Sequence, residues 1–167
     1  AHDAYFSALQ RALHTSGPAL PTLVVDQQRL LANLDSIAKT TQSGLALRVV
    51  VKSLPSLILI EHALQAWRTE KVMTFNAPQL VALAQARPSV QALLGKPLPV
   101  STAQWALTQL AGTPFNAPRQ VEWLIDTPAR AAQYRELARA SGVPLRLNVE
   151  LDVGLHRGGI ERDADLT

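Results

Sequence analysis

Short apolar runs alternate along the chain with segments whose apolar residues recur at helical spacing. The runs with strand character are residues 22–26, 45–51, 71–75, 90–94, 120–125 and 144–151. The segments with helical spacing are residues 4–13, 28–39, 57–67, 78–86, 102–110 and 128–140. Thr127 before Pro128 is a typical helix start, and Gly142 is a typical helix end. From residue 45 onwards the pattern therefore predicts a repeat of strand and helix.

The spacing of the strand ends indicates the fold class. The apolar runs end near residues 52, 76, 96, 126 and 152, and intervals of about 20–30 residues suit one βα unit. Strands that are apolar throughout, alternating with helices, predict a parallel sheet covered by helices. An open doubly wound sheet and a (β/α)8 barrel both fit. A barrel needs about 250 residues and eight strands, so a barrel in this chain of 167 residues is incomplete.

Composition excludes several classes of protein. The chain has 47% apolar and 17% charged residues, which is too apolar for a disordered protein. It has no cysteine, which excludes disulfides, cysteine zinc sites and thiol nucleophiles and fits a reducing compartment. No apolar run approaches the roughly 18 residues of a membrane span, and the first residues do not resemble a signal peptide. We therefore expect a cytoplasmic protein that binds no membrane.

Charge gives no support for nucleic-acid binding. The formal net charge is only +3, and the basic residues are scattered along the chain. The chain also lacks G-x-G-x-x-G after its first strand and lacks G-x-x-x-x-G-K-[ST]. Dinucleotide and P-loop interpretations therefore lose their main support.

Polar residues stand where the predicted strands end. In both candidate architectures, chemistry belongs at the carboxyl ends of the parallel strands. The residues found there are Lys52, Asn76, Lys96, Asp126, Asp152, His156 and Arg157. Most of them are expected on one face of the sheet, which makes this edge the candidate site.

Lys52 is the most informative of these residues. A lysine that ends an apolar strand is partly removed from water, which makes its amine more nucleophilic, as a Schiff-base lysine requires. The alternative is a lysine whose charged end reaches into solvent at the strand end. The position by itself leaves both interpretations open.

The glycine-rich segment 149–160 is the second candidate. Its glycines permit a tight turn after a strand and a close approach of backbone to a ligand. Arg157 can donate to a phenolate or carboxylate, or it can pair with Asp152 or Glu150. His156 is either a general acid/base or a structural residue in the loop.

Three stretches resemble motifs of the D-threonine aldolase/D-serine dehydratase family of alanine-racemase-like, fold-type III enzymes that use pyridoxal 5′-phosphate (PLP). Residues 20–26 (LPTLVVD) are similar to its TP-x-L-hydrophobic-D opening, and residues 47–53 (LRVVVKS) to its L-R-P-H-x-K-T. Residues 149–160 (VELDVGLHRGGI) are similar to its VE-x-D-x-G-x-x-R-x-G-V. The resemblance covers about residues 18–165. After the lysine, residues 53–55 (SLP) replace the frequent Thr-His-Lys, so the substrate pocket is expected to differ.

The resemblance implies a fold and a cofactor. The fold would be a (β/α)8 TIM-type barrel of the alanine racemase N-terminal type, with about its first five strands in residues 21–167, after a lead-in at residues 1–20. Lys52 would hold PLP as a Schiff base, and Arg157 would approach the O3′ oxygen of the cofactor. Two further residues at the strand ends, Asn76 and His156, complete the cofactor-binding candidates. No metal ligand is assigned in this chain, and a divalent metal would be bound by residues outside it.

The same resemblance implies the activity. It indicates a PLP-dependent lyase acting on D-amino acids, of the D-threonine aldolase or D-serine dehydratase type, with a small D-amino acid as substrate and a homodimer as the full-length protein. An amino-acid racemase and a non-catalytic PLP carrier are the alternatives. A third possibility is an α/β domain without PLP, in which Lys52 and Arg157 are structural. Residues 1–167 alone are expected to be inactive.

Overall fold

The computed structural model describes residues 2–18, 20–41 and 44–161. The chain divides into two compact units, Ala1–Asn33 and Leu34–Thr167. No helix in the described ranges is long and apolar enough to cross a membrane.

The first unit contains helix α1 (His2–Ser16) and the start of helix α2 (Gln27–Thr40). Asp26 caps α2, because its Oδ1 accepts a hydrogen bond from the Arg29 amide at 3.0 Å. Its other oxygen accepts from the Tyr5 hydroxyl at 2.8 Å, and the Arg29 guanidinium lies 3.6 Å from the centre of the Tyr5 ring. A polar cluster thus anchors the start of α2.

The strand predicted at residues 22–26 is wrong. The structure assigns no strand there, and the Leu23 side chain is 96% exposed. An extended apolar run becomes a strand only when a neighbour pairs with its backbone amides and carbonyls, and no described strand pairs with this one.

The second unit contains one parallel sheet. Among the described residues its strands are β1 (Val49–Val50), β2 (Lys71–Thr74), β3 (Gln91–Leu94), β4 (Val121–Ile125) and β5 (Arg146–Val149). The helices that follow α2 are α3 (Leu57–Ala66), α4 (Ala77–Ala86), α5 (Val100–Leu110), α6 (Ala117–Gln120) and α7 (Pro128–Ser141). A single 3-10 turn, Val51–Ser53, follows β1.

The order of the strands decides between the two candidate architectures. In space the order is β1-β2-β3-β4-β5, the same as along the chain, and every neighbouring pair is parallel. A doubly wound sheet reverses its strand order at a switch point, whereas a barrel does not. The sheet is therefore a partial (β/α) barrel of five strands, as the resemblance implied.

The hydrophobic core lies between the sheet and its helices. Alternate strand residues are fully buried, because successive side chains of a strand point to opposite faces. The sheet contributes Val72, Thr74, Ala92, Leu94, Val121 and Trp123 to this core, and the helices contribute Leu64, Leu80, Ala103, Ala106 and Tyr134. The Tyr134 hydroxyl donates to the Leu98 carbonyl oxygen at 3.1 Å, so the core satisfies this polar group.

The two outermost strands are shorter than the apolar runs predicted. The run 45–51 yields only Val49–Val50, and the run 144–151 yields only Arg146–Val149. Each lies at an edge of the sheet and has one neighbour, and β1 pairs with only two residues of that neighbour, Val72 and Met73. The helix α6 lacks the repeated apolar spacing of a longer helix and was not predicted.

Candidate functional site at the carboxyl edge of the sheet

All five strands end at the same edge of the sheet, because they are parallel neighbours. The structure therefore places every predicted site residue at this edge. Lys52 follows β1, Asn76 follows β2, and His156 and Arg157 lie in the loop after β5. The contacts of each residue show which of them meet.

Lys52 lies in the 3-10 turn and is exposed to solvent. Of the two interpretations of this position, the structure agrees with the one in which the charged end reaches into solvent, because β1 ends at Val50 and the turn carries Lys52 beyond the strand. Its Nζ lies 4.5 Å from the centre of the Phe75 ring, a distance at which an aromatic face attracts an ammonium group.

Phe75 was missed by the sequence reasoning. It follows Lys71 and Met73 at the strand period of two, so that alternation places all three on one face of the sheet. Phe75 also fits against Gly95: a Cβ on that glycine would lie 2.5 Å from the Phe75 Cε1 atom and 3.0 Å from the Met73 Sδ atom. The absent side chain of Gly95 thus leaves room for the ring beside Lys52.

Asn76 has a structural task. Its Oδ1 accepts a hydrogen bond from the Gln79 amide at 2.9 Å, which caps α4. The buried Thr74 hydroxyl donates to the Gln79 Oε1 atom at 3.1 Å in the same turn. A cap of this type satisfies an amide that the helix itself leaves without a partner. Contact between Asn76 and a cofactor stays a prediction.

Lys96 and Glu150 form an ion pair across the edge. The Lys96 Nζ lies 3.4 Å from the Glu150 Oε1 atom. The second carboxylate oxygen, Oε2, is buried and has no hydrogen-bond partner among the described residues. A buried acceptor without a donor is costly, so Glu150 is prepared to accept one more hydrogen bond.

The loop after β5 is organised by Asp152, whose side chain is only 3% exposed. Its Oδ1 accepts from the amides of His156 at 3.0 Å and Gly154 at 2.9 Å. These backbone hydrogen bonds, first from His156 and then from Gly154, lower the pKa of the Asp152 carboxyl. Gly159 packs so closely on this loop that a Cβ would lie 2.8 Å from the Asp152 nitrogen. Its φ of 108° also suits glycine.

Asp152 and Glu150, the two carboxylates considered as partners of Arg157, pair with other residues. Asp152 pairs with His156, whose Nδ1 lies 3.2 Å from Oδ2, and Glu150 pairs with Lys96. Arg157 is exposed and its side chain has no hydrogen bond or ion pair with any described residue. In the described structure, Arg157 therefore pairs with neither Asp152 nor Glu150. Its guanidinium is accessible to a ligand.

Three metal-ligating side chains meet in this loop, which sequence reasoning did not find. One ligand atom from each of Asp152, His156 and Glu161 lies within 4.8 Å of the others. The contacts within the loop explain why Asp152 and His156 lie close together, because both oxygens of Asp152 contact atoms of this loop. We therefore do not assign a metal ion to this cluster.

Residues 25–167 match the family model described as alanine racemase, N-terminal domain. The chain belongs to this family. It is thus a member of the fold-type III superfamily of PLP enzymes, and its partial barrel agrees with that fold. No curated protein matches the chain.

The residues at the carboxyl edge fit PLP, which the family typically binds. The aldehyde of PLP requires an accessible amine, and Lys52 is exposed. Its anionic oxygens require donors, and the guanidinium of Arg157 has no partner among the described residues.

Proposed function

We propose that this chain carries the cofactor-attaching lysine of a PLP-dependent lyase that acts on D-amino acids, of the D-threonine aldolase or D-serine dehydratase type. One observation carries the proposal. The exposed amine of Lys52 follows the first strand of a partial barrel, at the edge where all strands end, in a chain of the alanine racemase N-terminal family.

The proposal gives a role to each candidate residue at the carboxyl edge of the sheet. Lys52 would hold PLP through Nζ and would release it to the amine of the substrate. Arg157 would donate to the O3′ oxygen, and Glu150 keeps Lys96 at the edge by an ion pair. PLP, when bound, stabilises the negative charge that develops at the substrate Cα. The roles of His156 and Asn76 as cofactor ligands belong to the same proposal.

The lyase is favoured over the racemase by the residues 149–160, which are similar to the aldolase/dehydratase motif along their whole length. Racemisation is the second candidate, because the matching family model is described as alanine racemase. The proposal also includes a D-amino acid as the small-molecule partner, a homodimer and a cytoplasmic location.

The decisive experiment is covalent attachment of PLP to the full-length protein. We expect a visible absorption band with PLP, reduced by borohydride, and a cofactor-labelled peptide that contains Lys52. Lys52→Ala should abolish the band and the label, because no other group is expected to replace that amine. Lys39→Ala removes an exposed amine on α2 and is the matched control, which should keep both.

Two results would contradict this assignment. A borohydride-stable adduct at parental stoichiometry in Lys52→Ala would show that another amine attaches PLP. A folded full-length protein without any band would exclude the PLP function.

The reaction is identified by its products. With D-threonine an aldolase releases glycine and acetaldehyde, and with D-serine a dehydratase releases pyruvate and ammonia. A racemase instead produces the L-enantiomer, which chiral chromatography detects. Formation of the L-enantiomer alone would replace the lyase by the second candidate, and PLP binding without any product would indicate a carrier.

A further inference from the structure

The Lys52 side chain contacts Phe75, which directly follows the adjacent strand β2. The 3-10 turn ends the pairing of β1, so the Lys52 side chain extends from a turn into solvent. A long, exposed lysine has many rotamers, and a reaction at its amine requires a small set of them. In the described structure, the contact recorded for the Lys52 amine is the face of the Phe75 ring, 4.5 Å away.

The Phe75 ring is itself fixed from the other side. The register pairs Thr74 with Leu94, so Phe75 and Gly95, the residues that directly follow β2 and β3, lie side by side. Any side chain at Gly95 would meet the ring, with a Cβ at 2.5 Å from Cε1 and 2.6 Å from Cζ. Glycine is therefore required at position 95 for the ring to lie where it contacts Lys52.

We propose that Phe75, seated on Gly95, is a positioning residue that holds the unattached Lys52 ammonium group at the carboxyl edge until an aldehyde displaces it from the ring. The inference rests on the proposed function of Lys52, which supplies the aldehyde as PLP. In attachment, the ammonium group first gives one proton to solvent. The nitrogen lone pair then forms a bond to the aldehyde carbon, and the carbonyl oxygen leaves as water with the two remaining amine hydrogens. Phe75 forms no bond in this step, and its contact with Nζ is given up when the aldehyde attaches.

The test compares three variants of the full-length protein. Phe75→Leu keeps an apolar side chain but removes the aromatic face, and Phe75→Tyr restores that face. Gly95→Ala keeps the ring but displaces it, so it tests the same contact through a different residue. Phe115→Leu is the matched control, since Phe115 is a buried core residue in another loop.

Two measurements are made on each variant. The first is the PLP concentration at half-maximal attachment, read from the borohydride-stable label on Lys52. We expect this concentration to fall about two- to fivefold in Phe75→Leu, because attachment no longer has to break an exposed cation–π contact, and that is the factor such a contact corresponds to. Gly95→Ala should change in the same direction, while Phe75→Tyr and Phe115→Leu should match the parent.

The second measurement needs no PLP. Reductive methylation with formaldehyde is followed by mass spectrometry, and the rate at Lys52 is compared with the rates at Lys71 and Lys96 in the same sample. The rate at Lys52 should rise by a similar factor in Phe75→Leu, because the small reagent no longer has to displace the amine from the ring. Equal thermal stability of Phe75→Leu and Phe75→Tyr would exclude a general loss of structure.

The outcomes separate the two proposals. Parental methylation and parental PLP attachment in both Phe75→Leu and Gly95→Ala would overturn the role of Phe75, even if Lys52 attaches PLP. Failure of Phe75→Tyr to restore the parental values would also overturn it. A protein that never attaches PLP but shows the methylation difference would retain the ring contact and refute the proposed function.

Discussion

At the scale of single residues, Asp152 is the most heavily engaged carboxylate of the site. Its two oxygens meet two backbone amides and one imidazole nitrogen within a span of five residues. The amide hydrogen bonds favour the ionised carboxylate, so the pKa of Asp152 lies below its ordinary value of 3.8. These contacts connect Asp152 to Gly154 and His156 in the loop that contains Arg157.

The lowered pKa predicts how the loop responds to acid. Because the folded-state pKa is below the unfolded value, the stabilisation is fully present above about pH 4 and is lost as the pH falls through the folded pKa. Hydrogen–deuterium exchange of the peptide 150–160, corrected for the intrinsic pH dependence, should therefore increase only below about pH 4. Asp152→Asn should exchange faster at neutral pH and lose the acid transition.

Asp126→Asn is the control for this experiment, since Asp126 stands at the same edge and has no hydrogen bond to the 150–160 loop in the described structure. It should retain the transition of the parent. An unchanged exchange rate in Asp152→Asn at neutral pH would show that the amide hydrogen bonds do not hold the loop.

At the scale of elements, the βα junctions are set by helix caps. Thr127 accepts a hydrogen bond from the Arg130 amide at 3.1 Å, and Pro128 occupies the first position of α7. The helix ends at Gly142, whose φ of 68° is left-handed. Both ends agree with the sequence prediction, because a cap depends on residues within one turn of one another.

The cap of α7 predicts a measurable stability effect. Thr127→Ala should lower the free energy of unfolding by about 1 kcal/mol, because the Arg130 amide loses its acceptor at the start of the helix. Thr127→Ser keeps the hydroxyl and should stay within about 0.5 kcal/mol of the parent. Urea unfolding measures both values. Equal losses in the two variants would assign the effect to the methyl group of Thr127 rather than to the cap.

A second junction depends on contacts that the sequence does not reveal. Arg87 follows α4, and its guanidinium donates to the carboxylates of Glu70, before β2, and Glu61, on α3. Hydrogen bonds from Arg87 lower the pKa of the Glu70 carboxyl. The three residues lie 9 to 26 positions apart, so only the folded chain shows that one guanidinium joins three elements.

At the scale of the whole molecule, the second unit has an apolar surface beside its last strand. Leu147 and Val149 are exposed on β5. Together with Ile125, Ala131, Leu145 and Ile160 they line a groove of about 570 Å³ between β5 and α7. The outer edge of β5 also has no described strand beside it. Exposed apolar residues and an unpaired edge are both typical of association between chains.

This surface predicts that a polypeptide of residues 1–167 self-associates. Sedimentation velocity should show species larger than the monomer that increase with protein concentration. Val149→Lys should shift the distribution towards monomer, because it places a charge in the apolar groove. Gln85→Lys adds the same charge at an exposed position of α4 and should leave the distribution unchanged. A monomeric 1–167 polypeptide with a cooperative melting transition would contradict this prediction.

Local information in the sequence was sufficient for most of the fold. The apolar periodicity located the five strands after residue 40 and the longer helices, and the position of Lys52 after the first of them followed directly. The motif around Arg157 indicated the PLP superfamily, which the family match confirms. These features depend on residues close together in the chain, where spacing and residue type determine the local conformation.

Tertiary structure alone decided how the site residues meet. The sequence did not show that residues 22–26 lack a strand partner, that β1 stops before Lys52, or that Phe75 lies against its amine. It also did not show the pairing of Lys96 with Glu150, which are 54 residues apart. Such contacts depend on strand register and on sheet edges, and both are set by packing between distant parts of the chain rather than by any local pattern.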